Sequence, residues 1–244
     1  MPPLPPDTPA PPPAPASVPC LAIFDHDGVL VDSLAFHQDA WVELGRRTGL
    51  ALTPEFIRET FGMTNPSIFR KLLGDALDPA EMQRYSDLKE VCYRDQARGK
   101  IALMEGVAEL LDGLSAAGVL LAIGSSGVRP NLELTVASCG LSGRFAAIAS
   151  LEDIERGKPD PQVFLVAAAK AGVPPSRAVV FEDAPVGIEA AKAAGMRAVG
   201  VTTTHPAPAL WDAGADEVVA HLGGYDVAAL LRRLESGPKA NGHA

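Results

Sequence analysis

Hydrophobic and polar positions divide the chain into a leading apolar run, a helical stretch and a train of alternating units. Residues 18–24 (VPCLAIF) form a short apolar run with Val and Ile that stops at Asp25-His26-Asp27-Gly28. Periodicity does not separate a buried strand from a buried helix in so short a run. Its length and the Asp/Gly cluster at its end favour a strand. GVLVDS adds a second apolar scrap, and a helical stretch begins near Leu34. From there to about Lys100 the spacing predicts helices only. Phe36, Ala40, Leu44 and Arg47 recur at helical intervals, Thr53-Pro54 has the form of an N-cap followed by proline at the first helical position, and Asp78-Pro79 opens another helix.

After Gly106 the rhythm changes. Helices expected near 107–117, 129–139, 161–171 and 185–194 alternate with the apolar runs 119–126, 145–150, 178–183 and 197–202. Such alternation indicates a parallel sheet covered on both faces, because each crossover helix packs back onto the strands it joins. The expected fold is α/β: a Rossmann-like, three-layer parallel-sheet core interrupted by an inserted all-helical cap. The core is expected at residues 18–33 and 101–235 and the cap at 34–100, with unstructured tails at 1–17 and 236–244.

Composition narrows the classes. Ten of the 22 prolines fall in the first nineteen residues. Proline fixes φ and removes a backbone donor, so this stretch should be extended and polyproline-like. It lacks the basic and apolar regions of a secretory signal, and an SH3-like partner for it is a minor expectation. A net charge of −9 argues against a nucleic-acid partner, which would require clustered Lys and Arg. No apolar run reaches the length of a membrane span. The three cysteines, Cys20, Cys92 and Cys139, are widely spaced and form no CxxC pair, which suits reduced thiols in a cytoplasmic protein.

In open parallel sheets, functional groups gather beyond the carboxyl ends of the strands. The apolar runs here end in Asp25-His26-Asp27-Gly28, in Gly124-Ser125-Ser126-Gly127 and in Glu182-Asp183, with Lys158 in the loop ERGKPDP. Singly, each feature has an ordinary structural reading: turn chemistry for Asp-x-Asp-Gly, a loop or N-cap for the serines, a solvated lysine, and acids favoring a helix N-terminus. Their joint placement, each at the end of an expected strand, points to one acidic rim.

FDHDGVLVDS, the Ser125 strand end, GKPDP and EDAPVGIEAAKAAGM together resemble the four motifs of the haloacid dehalogenase-like hydrolases, within the β-phosphoglucomutase and sugar-phosphatase branch. The resemblance runs from about Pro19 to Asp226. It implies a Mg²⁺-dependent phosphatase acting on a small phosphorylated metabolite, with a sugar phosphate as the expected substrate. Asp25 would be the nucleophile that forms an aspartyl-phosphate, and Asp27 the general acid and then base. Asp25 and Asp183 would bind Mg²⁺ by side chain and Asp27 by its backbone carbonyl, with Glu182 reaching it directly or through water. Ser125, with Ser126 beside it, would hold phosphoryl oxygens, and Lys158 would neutralise charge. Asp32 and Ser33 would secure the hairpin after the nucleophile. His26 is expected to point away from the two acids and to be structural.

The helical insert would read the leaving group. His37 and Trp41 are four apart and share a helix face. One reading is a core Trp with a solvent-side His; the other, supported by the resemblance, couples His37 to Asp27. Thr64 and Asn65, in GMTNPS, are the other expected substrate contacts. Phosphoglucomutases of this branch place an arginine where this chain has Asn65, to grip a second phosphate. An amide cannot do so. A phosphatase is therefore favored over the alternative, a β-phosphoglucomutase. A non-enzymatic phospho-acceptor domain is a remote alternative, because Asp27 supplies the base that such domains lack.

Overall fold

A computed structural model describes residues 19–60, 64–74 and 78–235. Six parallel strands form one sheet in the order β3-β2-β1-β4-β5-β6. They are β1 (Leu21–Phe24), β2 (Leu120–Gly124), β3 (Ala147–Ala149), β4 (Ala178–Glu182), β5 (Arg197–Val201) and β6 (Glu217–Val219). The core helices are α5 (Val107–Ala116), α6 (Arg129–Ser138), α7 (Gln162–Ala171), α8 (Pro185–Ala193), α9 (Ala207–Asp212) and α10 (Val227–Glu235). The Rossmann-like α/β class is as the alternation implied.

Alternation along β1 shows why the sheet needs helices on both faces. Ala22 and Phe24 join a core with Leu111, Leu114 and Val179. Leu21 and Ile23 face the opposite way, into a core with Phe164, Ala167 and Ile188. Period-two side chains on a strand buried on both sides give the continuous apolar run seen in the sequence. β1 lies between β2 and β4, so the connections leave it in opposite directions. That reversal opens a crevice at its carboxyl end, where Asp25 begins.

Between β1 and α5 the chain forms α1 (Leu34–Thr48), α2 (Pro54–Glu59), α3 (Asn65–Leu73) and α4 (Pro79–Ala97). They close over a small core of Trp41, Leu44, Ile57, Ile68 and Phe69. The two anticipated N-caps are made: Thr53 Oγ1 accepts from the Phe56 N–H at 3.2 Å, and Asp78 Oδ1 accepts from the Ala80 N–H at 2.7 Å. β6, α9 and α10 were not anticipated. Glu217–Val219 is three half-buried residues on the sheet edge, too short to show a period. No helix among the described residues is long and apolar enough to cross a membrane. The proline-rich segment and the residues after 235 lie outside the described residues.

Candidate active site

The pairing of β1 with β4 extends one residue past the strand, because the Asp25 N–H donates to the Phe181 carbonyl at 3.0 Å. The backbone then turns. Gly28 adopts φ +77°, and a Cβ there would collide with the Asp183 carboxylate. Only glycine meets both demands. The turn is held by the Gly28 N–H donating to the Val31 carbonyl at 2.8 Å and the Leu30 N–H to the His26 carbonyl at 3.0 Å. Ser33 Oγ donates to Asp27 Oδ1, and Asp32 Oδ1 accepts from the Leu34 N–H at 3.3 Å. These two residues thus tie the turn to the start of α1.

Three carboxylates converge. Asp25, Glu182 and Asp183 each offer an oxygen within 4.8 Å of the others, and all three are buried. Burial, and then the charge of Glu182, push Asp25 up to about 6 against the pull of Lys158. Burial, and then Asp25, push Asp183 up to about 6. Burial also raises Glu182, against Lys158. Lys158 Nζ lies 3.0 Å from Asp25 Oδ1 and 2.7 Å from Glu182 Oε2. Burial disfavours its charge, but the two acids outweigh burial and hold its pKa above the usual lysine value. One lysine among three buried acids leaves excess negative charge. An all-oxygen set of this kind fits a hard divalent cation such as Mg²⁺.

The carboxylates are fixed from behind. The Asp183 and Ala184 N–H groups donate to Glu182 Oε1 at 3.2 and 3.1 Å. Thr204 Oγ1 donates to Asp183 Oδ2. Thr204 follows β5, and the sequence did not single it out.

Asp27 stands apart from this cluster. Its Oδ1 meets His26 Nδ1 at 2.9 Å, Ser33 Oγ, and His37 Nε2 at 3.4 Å. Burial would raise its pKa, but His26 and His37 overturn that and hold it well below the usual carboxylate range. His26 does not point away from the acids. The backbone turns after Asp25, so the buried ring reaches Asp27 through Nδ1 and Thr135 Oγ1 through Nε2, the latter at 2.7 Å. Burial disfavours the imidazolium, and Asp27 outweighs burial and raises the pKa of His26.

Ser125 is buried after β2, its N–H donating to the Ala149 carbonyl at 3.1 Å and its Oγ accepting from the Gly127 N–H at 3.1 Å. Ser126 is half-buried in the same turn. Both belong to the loop that leads into α6.

From the helical insert, His37 reaches the site and is not solvent-side. It stacks on Tyr93 with ring centroids 4.3 Å apart, and its Nδ1 is 2.7 Å from Lys89 Nζ. Burial and Lys89 lower its pKa. Trp41 is a core residue packed edge-on against Phe69. Asn65 opens α3 and donates to Glu90 Oε1 at 2.8 Å. Thr64 is exposed, with its Oγ1 2.9 Å from Ser67 Oγ. Arg70 and Lys71 share α3 with Asn65 and are exposed. Lys89, Glu90 and Asn131 are buried polar residues that the sequence did not single out. Lys89 and Glu90 fall inside a mostly polar helix pattern, where charge reads as a solvated face.

The sequence profile of the haloacid dehalogenase-like hydrolases matches residues 22–201. The chain belongs to this family. Among its haloacid dehalogenase-like relatives, validoxylamine A 7′-phosphate phosphatase of Streptomyces hygroscopicus subsp. limoneus is 34% identical over 199 residues, spanning 79% of this chain and 90% of that protein. Hexitol phosphatase A of Escherichia coli is 33% identical over 192 residues, spanning 77% and 85%. The crystal structure of a CbbY mutant from Rhodobacter sphaeroides, in complex with xylulose-(1,5)bisphosphate, superposes with a TM-score of 0.75 at 27% identity over 84% of this chain and 95% of that one.

Proposed function

We propose that this haloacid dehalogenase-like enzyme is a Mg²⁺-dependent phosphatase of a small phosphorylated metabolite, a sugar or polyol phosphate, working through an aspartyl-phosphate on Asp25. The observation that carries this reading is the separation of two acids only two residues apart. Asp25 stands in a buried acidic cluster with Lys158, while Asp27 is turned onto two histidines and Ser33. One is suited to attack phosphorus and the other to move protons. The named activities of the two phosphatase relatives support the same reading.

Asp25 and Asp183 would hold the Mg²⁺ by side chain, with Glu182 reaching it directly or through water and the Asp27 carbonyl as a further ligand. The ion would offset the repulsion between these acids and a phosphate dianion. Lys158 neutralises charge between the nucleophile and the transferring group, and Ser125, with Ser126 and the N–H groups of their turn, orients the phosphoryl oxygens. Attack by Asp25 Oδ forms an acyl-phosphate and expels the alkoxide, which takes a proton from Asp27. The ester's negative charge beside Asp27 raises its affinity for that proton. In the second half-reaction Asp27 accepts a proton from the attacking water, a role suited to the ionised state that His26 and His37 favour. His37, on α1, couples the position of the helical insert to Asp27.

The mutase alternative requires a cation for the second phosphate of a bisphosphate intermediate. Asn65 supplies none, and Arg70 and Lys71 are exposed on α3. Phosphate release from a panel of sugar and polyol phosphates, measured beside glucose 6-phosphate formation from β-glucose 1-phosphate, tests the choice. Phosphate release without isomerisation is expected. Isomerisation as the faster reaction would overturn it.

A further inference from the structure

The helical insert holds a second charged cluster. Glu90, buried on α4, accepts through Oε1 from Asn65 Nδ2 at 2.8 Å and from Lys89 Nζ at 3.0 Å. Through Oε2 it accepts from Asn131 Nδ2 of α6 at 2.6 Å. Asn131 in turn accepts from Arg94, one turn further along α4, at 3.0 Å. Lys89 is also engaged with His37 Nδ1, and its ammonium lies 5.6 Å from the ring centres of both Trp41 and Tyr93. Asp27, His37, Lys89, Glu90 and Asn65 thus form a continuous line of contacts from the proton-transfer acid into the insert.

Beside that line is Tyr93. Its side chain is fully buried, and its hydroxyl has no hydrogen-bond partner among the described residues. Burial raises its pKa, and the charges of Asp27 and Glu90 raise it further. A buried O–H without a partner is costly, and a ligand hydroxyl placed there would satisfy it.

We propose that Glu90 is a specificity-determining residue that restricts the substrate to esters bearing one phosphate, with uncharged hydroxyls in the region of Asn65 and Tyr93. The inference rests on the phosphatase reading and names its substrate class. Of the two cations in this network, Lys89 is balanced by Glu90 and Arg94 is engaged with Asn131, and the amide of Asn65 is spent on the same carboxylate. A second phosphate would meet a fixed carboxylate whose neighbouring cations are already engaged, and like charges in a desolvated site repel. A polyol hydroxyl is both donor and acceptor, and it fits a carboxylate, an amide and a phenol.

The test compares kcat/KM for fructose 1-phosphate and fructose 1,6-bisphosphate in the wild type, Glu90→Gln and Asn65→Arg. The wild type should favour the monophosphate by at least about tenfold. Glu90→Gln removes the carboxylate charge and frees Lys89, and Asn65→Arg adds a cation. Each should shift the ratio toward the bisphosphate by at least about tenfold. Circular dichroism identifies a variant that does not fold, and the other then carries the test. Equal wild-type use of both esters, or a ratio unmoved in the folded variants, overturns the assignment of Glu90 while leaving the phosphatase reading intact. Absence of phosphate release from p-nitrophenyl phosphate and every monophosphate by the wild type would overturn both.

Discussion

The carboxylate of Glu182 packs against the α-carbon of Gly187, in the volume that a Cβ on residue 187 would fill. The first turn of α8 therefore sets how closely the acidic cluster can approach the helix, and Glu182 is pinned between that turn and Lys158 Nζ at 2.7 Å. Gly187→Ala forces the carboxylate out of this position. We expect a loss of about 1–3 kcal/mol in stability from overpacking. We also expect a fall in phosphate release larger than the fraction unfolded explains. Thermal unfolding read beside kcat tests this, and a variant with wild-type kcat would show that Glu182 has room to spare.

Asp25 and Asp183 are both held near 6, above their ordinary 3.8, by burial and by neighbouring acids. A carboxyl whose folded pKa is raised contributes stability that is complete below its unfolded pKa and lost as pH rises through the folded one. The metal-free protein should therefore lose stability from this pair between about pH 4 and just above pH 6. Mg²⁺, binding the ionised pair, should raise Tm by at least ~3 °C more at about pH 7.5 than at about pH 5. Unfolding in Mg²⁺ and in EDTA at the two pH values measures this, and an equal Mg²⁺ shift at both would contradict it.

Thr204 holds Asp183 through its hydroxyl. Thr204→Val keeps the shape and removes that donor, so the carboxylate loses its orientation. Mg²⁺ affinity should weaken by about 10–100-fold, the usual cost of losing a supporting hydrogen bond at a metal ligand. A Mg²⁺ titration of activity reads the change directly. An unaltered midpoint would mean that Asp183 is placed by the sheet alone.

The sequence exposed the sheet and its rim because both depend on local signals. Buried parallel strands read as apolar runs; Asp25, Ser125, Glu182 and Asp183 fall where those runs stop, and Lys158 lies in the loop after another. Other features are products of tertiary contact. His26 reaches Asp27 only because the chain turns at Gly28, and its other nitrogen is satisfied by Thr135, 109 residues away. Glu90 and Lys89 look like solvated helix charges until Asn131, from a different element, closes over them. Position 204 gave no sign of its contact with position 183, since a threonine after a strand is ordinary turn chemistry.

Trapping the covalent intermediate distinguishes the roles proposed for Asp25 and Asp27. Asp27→Asn, lacking the acid for the departing alkoxide, should be phosphorylated slowly and should hydrolyse the acyl-phosphate slowly as well, so that the label persists. After rapid mixing with a sugar phosphate and acid quench, peptide mass spectrometry should place one phosphoryl group on Asp25, and Asp25→Asn should show neither label nor turnover. A label on another residue, or substrate consumed at the wild-type rate by Asp25→Asn, would show that Asp25 is not the nucleophile.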